Sequence, residues 1–167
     1  WRMLLLRDHY NWLASRLKLL ETQGVLTRNP RRAIDNLTDL WIAYAREFAG
    51  QTAHLAASGA NVLKINFNEW NRDPAYREGL LGLAGIPMRT NATDTLASVG
   101  SSFDPGQRAD LGKLEERWRN LLEPDNHLFL EAIIARAPDI EGLNVHIFGD
   151  DWTGFASRLG DAPSQPS

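Results

Sequence analysis

The chain contains no cysteine. That excludes disulfides, thiolate zinc sites and thiol nucleophiles, and it suits a cytoplasmic protein. It has no basic excess either: 18 Lys and Arg stand against 21 Asp and Glu, a net charge of −3. A general nucleic-acid binder shows the opposite balance. No nucleic-acid partner is therefore expected, and any anion recognition must be local. No apolar run approaches the roughly 18 residues that a membrane-spanning helix needs, and no secretory leader is visible. The 13 glycines form no Gly-rich phosphate loop. The four histidines, His9, His54, His127 and His146, have neither metal-ligand nor triad spacing, so no metal is expected. There is no internal repeat.

What remains is a chain of 167 residues, enough for one domain with a real core. The expectation is a single α/β domain over residues 1–160, followed by a disordered tail at 161–167, where APSQPS has nothing to bury.

The most informative stretch is the first, WRMLLLRDHYNWLASRLKLL. Met3 to Leu6 is an apolar run without alternation, which predicts a parallel strand covered on both faces. Asp8 is a good N-cap, and Tyr10, Leu13, Leu17 and Leu20 then recur at helical spacing. Ligands of open α/β sheets lie beyond the carboxyl ends of the strands. A helix start adds unpaired N–H groups, and Arg7 adds a permanently charged planar fork. Ser15, eight positions after Arg7, adds a hydroxyl. The plain alternative is that Arg7 pairs with a carboxylate and Ser15 bonds back to its own helix. His9 stands nearest the proposed phosphate and is a candidate for a base, although a His on a helix is more often structural.

The segment LLLRDHYNWLASRLK resembles the 3′-phosphate-binding segment of sulfotransferases that use 3′-phosphoadenosine 5′-phosphosulfate. In that family a strand runs into an Arg, commonly followed by Asp-Pro, and a helix carries a Ser eight residues after the Arg. His9 replaces the usual Pro. INFNEWNRDP, and VGSSFD followed by Arg117-Trp118, are similar to the bacterial branch of the same family. The resemblance spans most of residues 1–148. It implies part of a three-layer fold like that of P-loop nucleotide hydrolases, helix-rich, with a parallel sheet. It implies binding of the 3′-phosphate by Arg7 and Ser15. The activity implied is transfer of a sulfuryl group from the nucleotide to a hydroxyl or amine acceptor, possibly a carbohydrate. The second cradle of such enzymes, for the 5′-phosphosulfate, is a Gly-rich loop that normally lies well upstream. The chain, starting at Trp1, thus reads as the C-terminal part of such an enzyme. The alternative is a non-catalytic nucleotide-fold binding or interaction domain. No catalytic residue is assigned.

Further along, Pro30 predicts a helix start, and Ile34, Leu37, Trp41, Tyr44, Phe48 and Leu55 predict one long helix ending near Gly59. Arg28, Arg31 and Arg32 gather at its start, more simply a solvated turn than an anion site. NVLKINF, residues 61–67, predicts a second strand, parallel to the first. Glu69 just beyond it is an acceptor, a base or a cap. Asp73-Pro74 opens another helix, with Tyr76, Leu80, Leu81 and Leu83 on its buried side. Residues 88–106 read as a long polar loop. Its Ser98–Phe103 run offers backbone N–H groups and the hydroxyls of Ser101 and Ser102, which can wrap a phosphate. This loop is expected at the Arg7 end of the sheet. Residues 107–122 read as a helix with Trp118 in the core. Asp125 caps a final helix through Ala137, and Leu143–Phe148 reads as a strand or an extended tail.

Overall fold

The computed structural model describes residues 1–24, 30–87, 117–122 and 127–160. Strand β1 spans Arg2–Leu6 and strand β2 spans Val62–Asn66. They pair in parallel, with Arg2 opposite Val62 and Leu6 opposite Asn66. Parallel neighbours need a long crossover. Here it contains helix α1, His9–Thr22, and helix α2, Pro30–Phe48. After β2 come α3, Phe67–Arg72, and α4, Pro74–Leu83. Helix α5 covers His127–Phe148 and α6 covers Phe155–Gly160. Short 3₁₀ segments lie at Ala56–Ser58, Arg117–Leu122 and Asp150–Trp152. Among the described residues this is a helix-rich α/β arrangement with a small parallel sheet.

The caps explain where several elements begin. The Asp8 carboxylate accepts from the Asn11 backbone N–H at 2.9 Å and starts α1. Asp73 accepts from the Ala75 N–H at 2.8 Å, with Pro74 at the first turn of α4. Both starts are those the sequence predicts. The core gathers Leu6 of β1, Tyr10, Leu13 and Leu17 of α1, Ile34, Trp41 and Ala45 of α2, and Ile133, Ile140 and Phe148 of α5. Trp152 and Phe155 close it, the Tyr10 ring lying 5.7 Å from Trp152 and 4.6 Å from Phe155. Each fully buried Leu or Ile contributes about 1.5–3 kcal/mol.

Several elements differ from the sequence reading. β1 is not covered on both faces: Leu4 and Leu6 are buried, whereas Met3 is 70% and Leu5 55% exposed. Helix α2 stops at Phe48 rather than near Gly59. Gly50 takes a left-handed φ of 77°, and the Glu47 carboxylate then collects Thr52 Oγ1, His54 N–H and Leu55 N–H at 2.5–2.9 Å. These bonds hold the connection in a turn that a continued helix does not allow. Tyr44 is half exposed; the inward stripe of α2 is Ile34, Thr38, Trp41 and Ala45. Leu83 of α4 is also exposed, and no α4 residue is fully buried.

The largest difference is at α5. It runs through Pro138 to Phe148, so residues 143–148 are helix, not strand. A helix-interior Pro removes one hydrogen bond and crowds the preceding turn. Ile133, Ala137, Ile140, Asn144 and Phe148 nevertheless form one buried stripe across it. Residues 117–122 form a 3₁₀ segment in place of the end of an α-helix, with Trp118 half buried. The predicted loop at 88–106 lies outside the described residues. So do Ser101, Ser102, most of 107–122, Asp125 and the 161–167 tail. No described helix is long and apolar enough to cross a membrane.

Candidate functional site at the carboxyl ends of the strands

Both strands deliver candidate site residues to one end of the sheet. Arg7 and Asp8 follow β1, and Phe67 and Asn68 follow β2. Asp8 is almost completely buried. Its carboxylate accepts from the Asn11 N–H, from Asn11 Nδ2 at 3.1 Å and from Asn68 Nδ2 at 3.1 Å, with Arg7 Nε 3.9 Å away. Burial pushes the Asp8 carboxyl above the usual range, and the Asn11 hydrogen bonds and the Arg7 charge pull it part of the way back. Asn66 secures the β2 side. Its side-chain oxygen accepts from the N–H groups of Asn68 and Glu69 and so caps α3, and Nδ2 donates to the Ile147 carbonyl of α5. Asn66, not Glu69, is the cap here.

Arg7 lies along this network. Its guanidinium carbon is 5.3 Å from the centre of the Phe67 ring, and Nη1 donates to Ser15 Oγ at 3.3 Å. The sequence reading places Arg7 and Ser15 at one site, and the fold brings them into contact. It also brings a third group that spacing did not reveal. Arg117, on the distant 3₁₀ segment, donates from Nη1 to the same Ser15 Oγ at 3.1 Å. The Ser15 hydroxyl donates in turn to the Asn11 carbonyl at 2.9 Å. A hydroxyl has one proton and two lone pairs, so Ser15 accepts two guanidinium bonds and bonds back along its helix. The plain alternative for Ser15 is thus present alongside the convergence of two cations.

The guanidiniums of Arg7 and Arg117, far apart in sequence, meet on one neutral oxygen, an arrangement suited to an anion. Phosphate presents several oxygens to such forks, and charge-assisted bonds are the stronger kind. The sheet edge positions one fork and helix α1 the hydroxyl.

His9 takes no part. Its ring is fully buried against α2, with Nε2 3.2 Å from Thr38 Oγ1 and Trp41 edge-on at 5.1 Å. Burial, with the nearby Arg136 charge, lowers its pKa to about 3. It is a neutral core residue and not a base at this site. Arg31 pairs within its own helix with Asp35 at 3.4 Å, in keeping with a solvated turn; Arg28 lies outside the described residues.

Among the described residues no group of acids and histidines could hold a metal. A cavity of about 540 Å³ lies between α2 and α5, lined by Asp39, Ile42, Arg46, Arg136 and Pro138 among others. None of the strand-edge residues lines it. Comparison with known proteins finds no match to any family model, any curated protein or any solved structure.

Proposed function

We propose that this chain binds the phosphate of a nucleotide at the carboxyl edge of its sheet, as part of a sulfotransferase acting with 3′-phosphoadenosine 5′-phosphosulfate. Arg7, Arg117 and Ser15 hold the 3′-phosphate. The acceptor is a hydroxyl or an amine. The observation that carries this reading is the convergence of Arg7 and Arg117 on Ser15 Oγ beyond the end of a parallel strand. The likeness of LLLRDHYNWLASRLK to the family segment supplies the nucleotide. Under this reading the two-stranded sheet is part of a larger three-layer, P-loop-like fold. Holding the 3′-phosphate anchors the nucleotide, and transfer then depends on positioning and on charge stabilisation at the leaving phosphate.

Calorimetry with adenosine 3′,5′-bisphosphate and adenosine 5′-monophosphate tests the reading. The bisphosphate should bind and the monophosphate should bind much more weakly. Arg7→Ala should cost roughly tenfold to a hundredfold, since a charge-assisted bond contributes about 1.5–3 kcal/mol. Equal affinity for the two nucleotides, or no effect of Arg7→Ala, removes the reading. Binding without sulfuryl transfer to any hydroxyl or amine acceptor favours the non-catalytic alternative.

A further inference from the structure

Arg117 and Trp118 touch helix α1 one turn apart. Arg117 reaches Ser15, and the backbone N–H of Trp118 donates to Asn11 Oδ1 at 3.0 Å. Asn11 and Ser15 are four residues apart and share a helix face. Asn11 is completely buried. Its amide cannot turn over without loss, because Nδ2 already donates to Asp8 Oδ2 and leaves Oδ1 as the acceptor. Asp8 is itself fixed by Asn68 from the far strand. One amide, oriented by the sheet edge, therefore sets where the Arg117 segment sits on α1. That seat places Arg117 beside Ser15 along with Arg7.

We infer that Asn11 is the positioning residue of the anion site: it docks the Arg117–Leu122 segment on α1, so that docking and binding of a phosphate monoester are one coupled event. The inference rests on the phosphate reading of Arg7 and Ser15. A ligand that needs Arg117 favours the docked segment, and a docked segment favours the ligand. With the segment undocked, only Arg7 and Ser15 remain to hold the anion. Two guanidiniums select a dianionic phosphomonoester over a singly charged diester.

The test is a double-mutant cycle on the full chain, with inorganic phosphate as the probe and calorimetry as the readout. Asn11→Ala and Arg117→Ala should each weaken phosphate binding by about tenfold, and the double variant should be no weaker than Arg117→Ala within about twofold. Losses that multiply overturn the inference, because Asn11 then acts independently of Arg117. A second measurement needs no variant. Hydrogen exchange at the Trp118 amide of the wild-type chain should slow by about tenfold when phosphate is raised to about ten times its dissociation constant. Unchanged exchange there also overturns it. Failure of phosphate to bind removes both this inference and the reading beneath it. A cycle that behaves as expected, with the two nucleotides binding equally, removes only the nucleotide reading.

Discussion

Asp8 and Asn68 stand sixty residues apart in sequence, yet their side chains share a buried hydrogen bond of 3.1 Å that joins the ends of the two strands. The acceptor is a helix cap and the donor belongs to the next strand–helix junction. A single carboxylate therefore serves local structure and tertiary register together.

Removing that carboxylate should be costly. Asp8→Ala deletes a cap and leaves the donors of Asn11 and Asn68 buried without their acceptor. The expected loss is about 3 kcal/mol, read as a lower urea midpoint with an unchanged slope. A loss below about 1 kcal/mol shows the network to be dispensable. Asp8→Asn should fall between, because the amide must turn a donor toward a donor.

Acid stability should report on His9. Its folded pKa of about 3 lies below the ordinary 6.5. Above pH 6.5 both states are neutral there and the group has no effect. Below it the unfolded chain takes up a proton that the fold refuses, so stability falls steadily down to pH about 3. At 1.36 kcal/mol per pH unit the ceiling is about 5 kcal/mol. Asp8 works the other way, since its raised pKa favours the fold as acid neutralises it. Glu47, held low by the Thr52 hydroxyl and the Leu55 and His54 N–H groups, adds to the acid loss below about its ordinary 4.5. Melting temperatures of wild type and His9→Asn between pH 7 and pH 4 check this. The variant should show the flatter profile, and parallel profiles would falsify the assignment.

Arg136 of α5 ties three carboxylates, with contacts of 3.1 Å to Asp35, 2.7 Å to Asp39 and 2.7 Å to Asp139. The Asp39 and Asp139 side chains are more than half exposed, so screening limits the gain. Arg136→Met should cost about 1 kcal/mol at low salt and much less near 1 M salt, where the Debye length is about 3 Å. Melting of both proteins across that salt range decides it; a cost independent of salt points to packing of the side chain's stem instead.

Within the proposed anion site the fork should matter beyond the charge. Arg7→Lys should weaken adenosine 3′,5′-bisphosphate binding nearly as much as Arg7→Ala, because Lys cannot offer two parallel donors. Ser15→Ala should cost less than either, about threefold to tenfold for one neutral donor. Titrations of the three variants give the order directly. Ser15→Ala as the most damaging change contradicts a site dominated by the guanidiniums.

Much of this was legible in the residues. The parallel pairing of β1 with β2, the Asp8 cap and the Asp73-Pro74 start follow from short-range chemistry. The contact between Arg7 and Ser15 follows from a strand end feeding a helix. Arg117 could not be found this way, since no local pattern links it to a hydroxyl 102 residues away. Its one signal was the resemblance carried by the pair Arg117-Trp118, which attached no role to Arg117 itself. Asn11 was hidden because an Asn in the first turn of a helix usually faces water. The expected end of the last helix at Ala137 failed for a different reason: the local cost of Pro138 inside a helix is real, and the buried stripe from Ile133 to Phe148 outweighs it. At β1 four apolar residues in a row cannot tell which face the helices cover.

The register of the sheet has a kinetic meaning. Arg2 pairs with Val62, so the strands meet only after a loop of some sixty residues has closed. Such closure is entropically slow compared with helix formation. Helices α1 and α2 should therefore be present before the sheet, and the polar knot at its end should tighten last. Pulse-labelled refolding should show amides of α1 protected before those of β2, with the reverse order ruling this out. Until that moment Leu4 and Leu6 sit on an unpaired strand, and the nascent chain is at its most adhesive.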